Sequence, residues 1–315
     1  MPVMKVIDIA WGRIRSPDLD KQEEFLTAFG MVRAARTKTA LYMRGTDPAH
    51  HLHVTELGEP RHVGLAFYAA SPDDLKRLAK LDGASGIESI DEPGGGQRVR
   101  LKDPDGYQVE VVHGLEQLPP IRLERPAVNS GADKQRRRGE LFRLRAGPSH
   151  VKRMGHGVVM TTNFAKMLAW YRETLGLICS DEIYDGDKSN VVGSFNRCDR
   201  GDDYVDHHTF FLIKGDKTGL NHLSYEAADI DDVMIGHEHL AAKGCYEHVW
   251  GIGRHQLGSQ VFDYWKDPWN RVHEHWADTD VLNAKAPAGH HQRGPDIAGP
   301  WGTPPQPSFF GHATP

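Results

Sequence analysis

The chain has 315 residues, 39% of them hydrophobic and 26% charged, and a mean hydropathy of -0.54, enough material for two domains with separate cores. Its net charge of -5 argues against a general affinity for nucleic acid. No apolar run approaches the roughly 18 residues of a membrane span and the first residues lack a signal-peptide layout, so a cytoplasmic protein is expected.

In chain order, an alternating strand over Lys5–Ala10 is followed by Ser16-Pro17-Asp18, which opens an amphipathic helix running to Gly30 with Phe25, Leu26 and Phe29 inward. A strand over His62–Tyr68 follows. Ser71-Pro72-Asp73-Asp74 then carries an N1 proline and capping-box spacing, predicting a helix closed by Gly83. The run Gly94-Gly95-Gly96 precedes a strand rather than a helix and reads as a turn, and Tyr107–Val112 is a further strand. Residues 114–150 are rich in Pro, Arg and Gly and read as a linker, with the basic run at 134–145 a solvated or subunit-facing surface. Beyond it, Asn163 opens a helix to Gly176 with Met167, Leu168, Tyr171 and Leu175 inward, and Asp229 leads another to Gly244. After Asn283 the chain turns to Pro, Gly and His without periodicity, a tail that is disordered, crosses a neighbouring subunit or covers a pocket mouth.

The two halves repeat one another. KDPDGYQVEVV at 102–112 answers KDPWNRVHEHW at 266–276, matching Glu110 to Glu274, and PRHVGLAF at 60–67 answers LNHLSYEA at 220–227, matching His62 to His222. Superposing Gly30 on Gly176 sets Ala10 opposite His156. The expected layout is α+β: a domain at 1–113, the linker at 114–150, a second domain at 151–282 and the tail at 283–315, without the regular alternation of a doubly wound sheet. Cys179, Cys198 and Cys245 lack CxxC spacing, so reduced thiols are expected.

The stretches GPSHVKRMGHGVV (147–159), VDHHTFFLI (205–213), GLNHLSYE (219–226) and GRHQLGSQVFDYWKDPWNRVHE (253–274) resemble the type I extradiol ring-cleavage dioxygenases of the vicinal oxygen chelate superfamily. The resemblance implies two domains, each a tandem pair of βαβββ modules, with a metal-free first domain and a catalytic second one. It implies Fe(II) held by His156, His222 and Glu274, with O2 and a catecholic small molecule as reactants. His207, fifteen residues before His222, falls at the family's acid/base position, and His255 and Tyr264 fall where the substrate oxygens are bound. A homo-oligomer is the family expectation.

Elementary chemistry agrees with that ligand set. Two neutral imidazoles and one carboxylate suit a divalent transition metal with open positions, and the single carboxylate leaves net positive charge for an anionic catecholate. Histidine's pKa near 6.5 suits proton transfer at neutral pH. Departures from the family pattern at Leu257, Asp263 and Asn270 bear on the pocket lining. His208, next to His207 on a strand, would face away and reads as structural. His50, His51 and His53 lack a motif, His237 and His239 are two apart on a helix and diverge, and His290 and His291 lie in the tail.

Two other classes share these modules, and each makes its own demand. A glyoxalase-type isomerase calls for ligands in both halves, which Ala10 argues against. A metal-free binding protein calls for loss of the ligands, which the second half retains.

Overall fold

The halves fold as two large sheets in a computed structural model that describes every residue except Ala298. The first module comprises β1 (Val6–Ser16), α1 (Leu19–Ala28), β2 (Val32–Arg36), β3 (Ala40–Arg44) and β4 (His53–Leu57). The second comprises β5 (Arg61–Ala69), α2 (Pro72–Leu78), β6 (Glu88–Ser89), β7 (Gln97–Lys102) and β8 (Gln108–His113). After the linker come β9 (Val151–Thr161), α3 (Phe164–Leu175), β10 (Leu177–Tyr184), β11 (Val191–Cys198), the short β12 (Val205–Asp206) and β13 (Phe210–Lys214). The fourth module is β14 (Gly219–Ala227), α4 (Ile230–Lys243), β15 (His248–Arg254), β16 (Val261–Lys266) and β17 (Val272–Ala277). The remainder adds β18 (Val281–Leu282), β19 (Gly289–Gln292), β20 (Trp301–Gly302) and α5 (Pro307–Phe310).

The strand orders are β2-β3-β4-β1-β5-β8-β7-β6 and β19-β10-β11-β13-β9-β14-β17-β16-β15-β20, so each sheet joins two modules through its central antiparallel pair, β1·β5 or β9·β14. Parallel pairs flank these centres, which makes both sheets mixed and the fold α+β. The helices start and stop where local chemistry requires. The Asp18 carboxylate accepts the Asp20 and Lys21 N–H groups, Asp229 accepts that of Asp232, and α3 and α4 end at left-handed Gly176 and Gly244, whereas α2 ends at Leu78, short of the stop expected at Gly83.

β1 runs six residues further than its alternation suggests, because the second sheet buries its outer face. There the sheets interlock by symmetric contacts. A Cβ on Gly12 would lie 2.6 Å from Leu223 Cδ1, and one on Gly157 would lie 2.7 Å from Leu65 Cδ1, so each leucine fills the hollow left by the opposite glycine. Both leucines are buried, each such side chain contributing about 2 kcal/mol of apolar transfer energy. Arg271 spans the same interface. It pairs with Asp267 at 2.5 Å and donates to Arg15 O, Ser16 Oγ and Gln22 Oε1 of the first domain.

The linker forms no helix or long strand, and its Arg125 guanidinium ion-pairs with the buried Asp232 of α4. The tail lies along its own second sheet: β19 extends the sheet beside β10, β20 pairs with β15, and α5 brings Phe309 into a buried cluster with Trp250, Phe262 and Tyr264.

Candidate metal centre

β9, β14 and β17 lie side by side, and their register decides which side chains converge. Ser224 of β14 faces both His156 of β9 and Glu274 of β17, while His222 stands two residues earlier on the same side of the strand. The consequence is a buried cluster: His156 Nε2 lies 3.0 Å and His222 Nε2 3.4 Å from Glu274 Oε2, and the three ligand atoms fall within 4.8 Å of one another. Burial drives the Glu274 carboxyl up, but the imidazoles of His156, His222 and His255 gathered around it hold it well below the usual carboxylate range. Burial also lowers His156, against the pull of Glu274. An anionic carboxylate beside an imidazole that burial keeps from protonating suits a divalent cation.

The atoms present fit a metal. Asn221 Nδ2 donates to the Phe309 and His312 carbonyls of the tail, which turns its Oδ1 toward His222 Nδ1 at 2.7 Å. An amide oxygen only accepts, so Nδ1 carries a proton, and in the neutral His222 tautomer Nε2 is bare. That buried Nε2 has no hydrogen-bond partner, and neither has Glu274 Oε1. Lone pairs directed at one another without a proton between them call for a cation. Ser224 Oγ donates to Glu274 Oε2 and steadies the carboxylate.

His255 and Tyr264 sit at the edge of the cluster. Their side chains meet at 2.9 Å, His255 Nε2 is 3.6 Å from Glu274 Oε1, and the Tyr264 ring lies 5.1 Å from that of His222. Burial and then the Glu274 charge push the Tyr264 hydroxyl well above its ordinary pKa, so it is a neutral donor. Phe309 from the tail closes this side, its ring 4.8 Å from Tyr264.

The expectation for His207 requires correction. Its Nε2 is taken by Asp181 Oδ2 at 2.7 Å and its Nδ1 by His208 Nδ1 at 3.1 Å, so it does not face the cluster. His208 does: its ring centroid is 4.1 Å from that of His156, and it is wholly buried. Burial, then the neighbouring His156 and His207, hold it well below the ordinary histidine pKa. The two lie in the turn between β12 and β13 and not on a strand, so alternation does not govern them; Asp181 of β10 captures the first and leaves the second beside His156.

The alignment of the halves is corrected too. In the first sheet Ala66 faces both Trp11 and Glu110, as Ser224 faces His156 and Glu274. The counterparts are therefore Trp11 for His156, Gly64 for His222 and Glu110 for Glu274. Ala10 and His62 fall off register by one and two residues, and His62 instead packs against Tyr107 with ring centroids 5.0 Å apart. Glu110 is held by Arg13 Nε at 2.7 Å and Arg98 Nη1 at 3.0 Å. The first half therefore lacks the ligand set that a two-site isomerase needs.

The chain is similar to known proteins over most of its length. The model of the Glyoxalase/Bleomycin resistance protein/Dioxygenase superfamily matches residues 153–270. The chain is 32% identical over 292 residues to metapyrocatechase 2 of Cupriavidus necator, covering 89% of this chain and 87% of that protein. It belongs to the vicinal oxygen chelate superfamily, among the extradiol dioxygenases. A manganese-dependent 2,3-dihydroxybiphenyl 1,2-dioxygenase of Geobacillus genomosp. 3 is 24% identical over 263 residues, covering 80% of this chain and 79% of that one. The fold superposes on homoprotocatechuate 2,3-dioxygenase of Brevibacterium fuscum, solved as an anaerobic complex with 3,4-dihydroxyphenylacetate, with a TM-score of 0.81 at 17% identity over 99% of this chain and 94% of that one. The protein is thus a ring-cleavage dioxygenase. Among the described residues no helix is long and apolar enough to cross a membrane.

Proposed function

We propose that this dioxygenase uses Fe(II), held by His156, His222 and Glu274, to open a substituted catechol or trihydroxybenzene beside its diol, inserting both atoms of O2. 2,4,5-Trihydroxytoluene is one substrate to test. The observation that carries the reading is the buried convergence of a bare imidazole nitrogen on a carboxylate, on one face of the sheet. When bound, the metal acidifies the diol and offers a position for dioxygen.

The chain's own groups do the rest. Asp181 is an acceptor for the Nε2 protons of His207 and His291, at 2.7 and 2.9 Å, and in the neutral tautomer His207 Nδ1 is bare and accepts from His208 Nδ1. His208 Nε2 is thereby left as the proton acceptor beside His156, the atom we assign to take the diol proton and return it to the cleaved product. Tyr264 and His255 hold the substrate oxygens by hydrogen bonds from the opposite side. Tyr264, Phe309 and Trp250 form an aromatic wall that favours a flat ring and keeps water out.

Anaerobic loading with Fe(II), then air and a panel of catechols and trihydroxybenzenes, tests the reading through oxygen uptake and the absorbance of the ring-opened product. Oxygen uptake matched by product supports it. Absence of turnover with both Fe(II) and Mn(II) overturns it, and turnover with Mn(II) alone replaces the metal while keeping the reaction.

A further inference from the structure

We propose a second divalent-metal site, of zinc-like preference, built from His237, His248 and Asp263 on the side of the second sheet that faces α4. The three residues come from α4, β15 and β16. His248 Nε2 is 2.8 Å from Asp263 Oδ1, and His237 Nδ1 is 3.1 Å from Oδ1 and 3.2 Å from Oδ2. One donor atom from each lies within 4.8 Å of the others, as in the catalytic triad. These separations are close to the edge of about 3.3 Å in a tetrahedron with metal bonds of about 2.0 Å.

The carboxylate is prepared for a cation. Asp263 is fully buried, and burial pushes its carboxyl up, yet the hydrogen bonds from His237 and His248 hold it below the ordinary range. Trp265 Nε1 donates to Oδ2 at 2.5 Å, which orients the carboxylate and leaves Oδ1 toward the imidazoles. The histidine side chains are 24% and 31% exposed, so water can reach the fourth position. Their rings stand 4.8 Å apart at 86° and approach Asp263 from two directions. Two imidazoles and one carboxylate are a good donor set for zinc and its neighbours and a poor one for magnesium or calcium.

The sequence offered no spacing for this site, since His237 and His239 diverge on α4 and the true partner is His248, across the turn. Asp263 and Tyr264 are successive residues of β16 and project to opposite faces, so the site lies back to back with the catalytic pocket. A metal there would clasp α4 and β15 to the strand that presents Tyr264. It would act as a structural tie, with no part in oxygen chemistry.

The test counts metal in the iron-loaded enzyme after equilibration with Zn(II) and exhaustive dialysis, measuring iron and zinc separately by elemental mass spectrometry. The expected result is two metals per chain. The doubly substituted H237Q/H248Q variant, which touches no catalytic group, should hold one, keep its iron and keep its oxygen uptake. Zinc should also raise the wild-type Tm by several degrees and leave the variant's unchanged. One metal per chain in the wild type, or two in the variant, overturns the proposal, the second outcome placing zinc elsewhere. The count does not depend on turnover, so a failed oxygen assay leaves it readable.

Discussion

The two sheets have one backbone plan and opposite electrostatic solutions at its centre. In the second, Glu274 faces two imidazoles in an arrangement that suits a metal ion; in the first, Glu110 occupies the same place and its cations are the Arg13 and Arg98 guanidiniums. The other two positions have become Trp11 and Gly64, and a Cβ on Gly64 would fall 1.7 Å from Gln108 O, so no ligand can be restored there without moving the backbone. A buried carboxylate needs a positive partner, and which partner it has separates a metal centre from a structural ion pair.

Exchanging the carboxylates is the strongest way to break this comparison. Glu274→Ala should lose its iron and at least about a thousandfold of activity, a barrier increase of about 4 kcal/mol, read by metal analysis and oxygen uptake. Glu110→Gln should keep iron and turnover but destabilise the fold by about 3 kcal/mol, because Arg13 loses its buried partner. Iron loss in the Glu110 variant would show that the sheets are not divided in this way.

The adjacent histidines sharpen the comparison within the second sheet. His208→Ala should lower kcat by about a hundredfold or more with iron retained, the scale of a general base, whereas His207→Ala should cost about tenfold through loss of orientation. The reverse ranking would return the acid/base role to His207. Asn221, whose first-sheet counterpart by register is Val63, has a smaller task. Asn221→Ala should weaken iron binding by about ten- to a hundredfold, measured by chelator competition, because the His222 tautomer is no longer enforced.

The first sheet makes its own prediction in acid. Burial lowers His51 and His62 to a pKa of about 3 in the folded state, with His50 adding to the shift at His51 and Arg271 to that at His62. The unfolded chain binds these protons near pH 6.5. Folded stability is therefore complete above pH 6.5 and is lost as the pH falls toward 3, each group costing about 2 to 3 kcal/mol at pH 4.5. Urea unfolding of His62→Phe should show a shallower decline between pH 7 and 4.5 than the wild type. Equal slopes would mean that His62 is not buried neutral.

Much of this molecule is legible in its sequence. Helix caps, glycine stops and the repeated Asp-Pro turns are local chemistry, and they determine the α+β plan of paired modules. The contexts of His156, His222 and Glu274 name residues that the folded chain does bring together. Other features are decided only when strands pair. Matching like residues set His62 opposite His222, yet sheet register puts Gly64 there, because hydrogen-bonded pairing, not residue identity, determines which side chains are neighbours. His207 and His208 sit in a turn rather than on the strand their alternation suggests, and which of them reaches the cluster is decided by Asp181 on another strand. The tail has no periodicity to read, since Phe309 and the carbonyls that orient Asn221 gain meaning only against the second sheet. The cluster of His237, His248 and Asp263 joins three elements whose approach follows from tertiary packing, which no local spacing encodes.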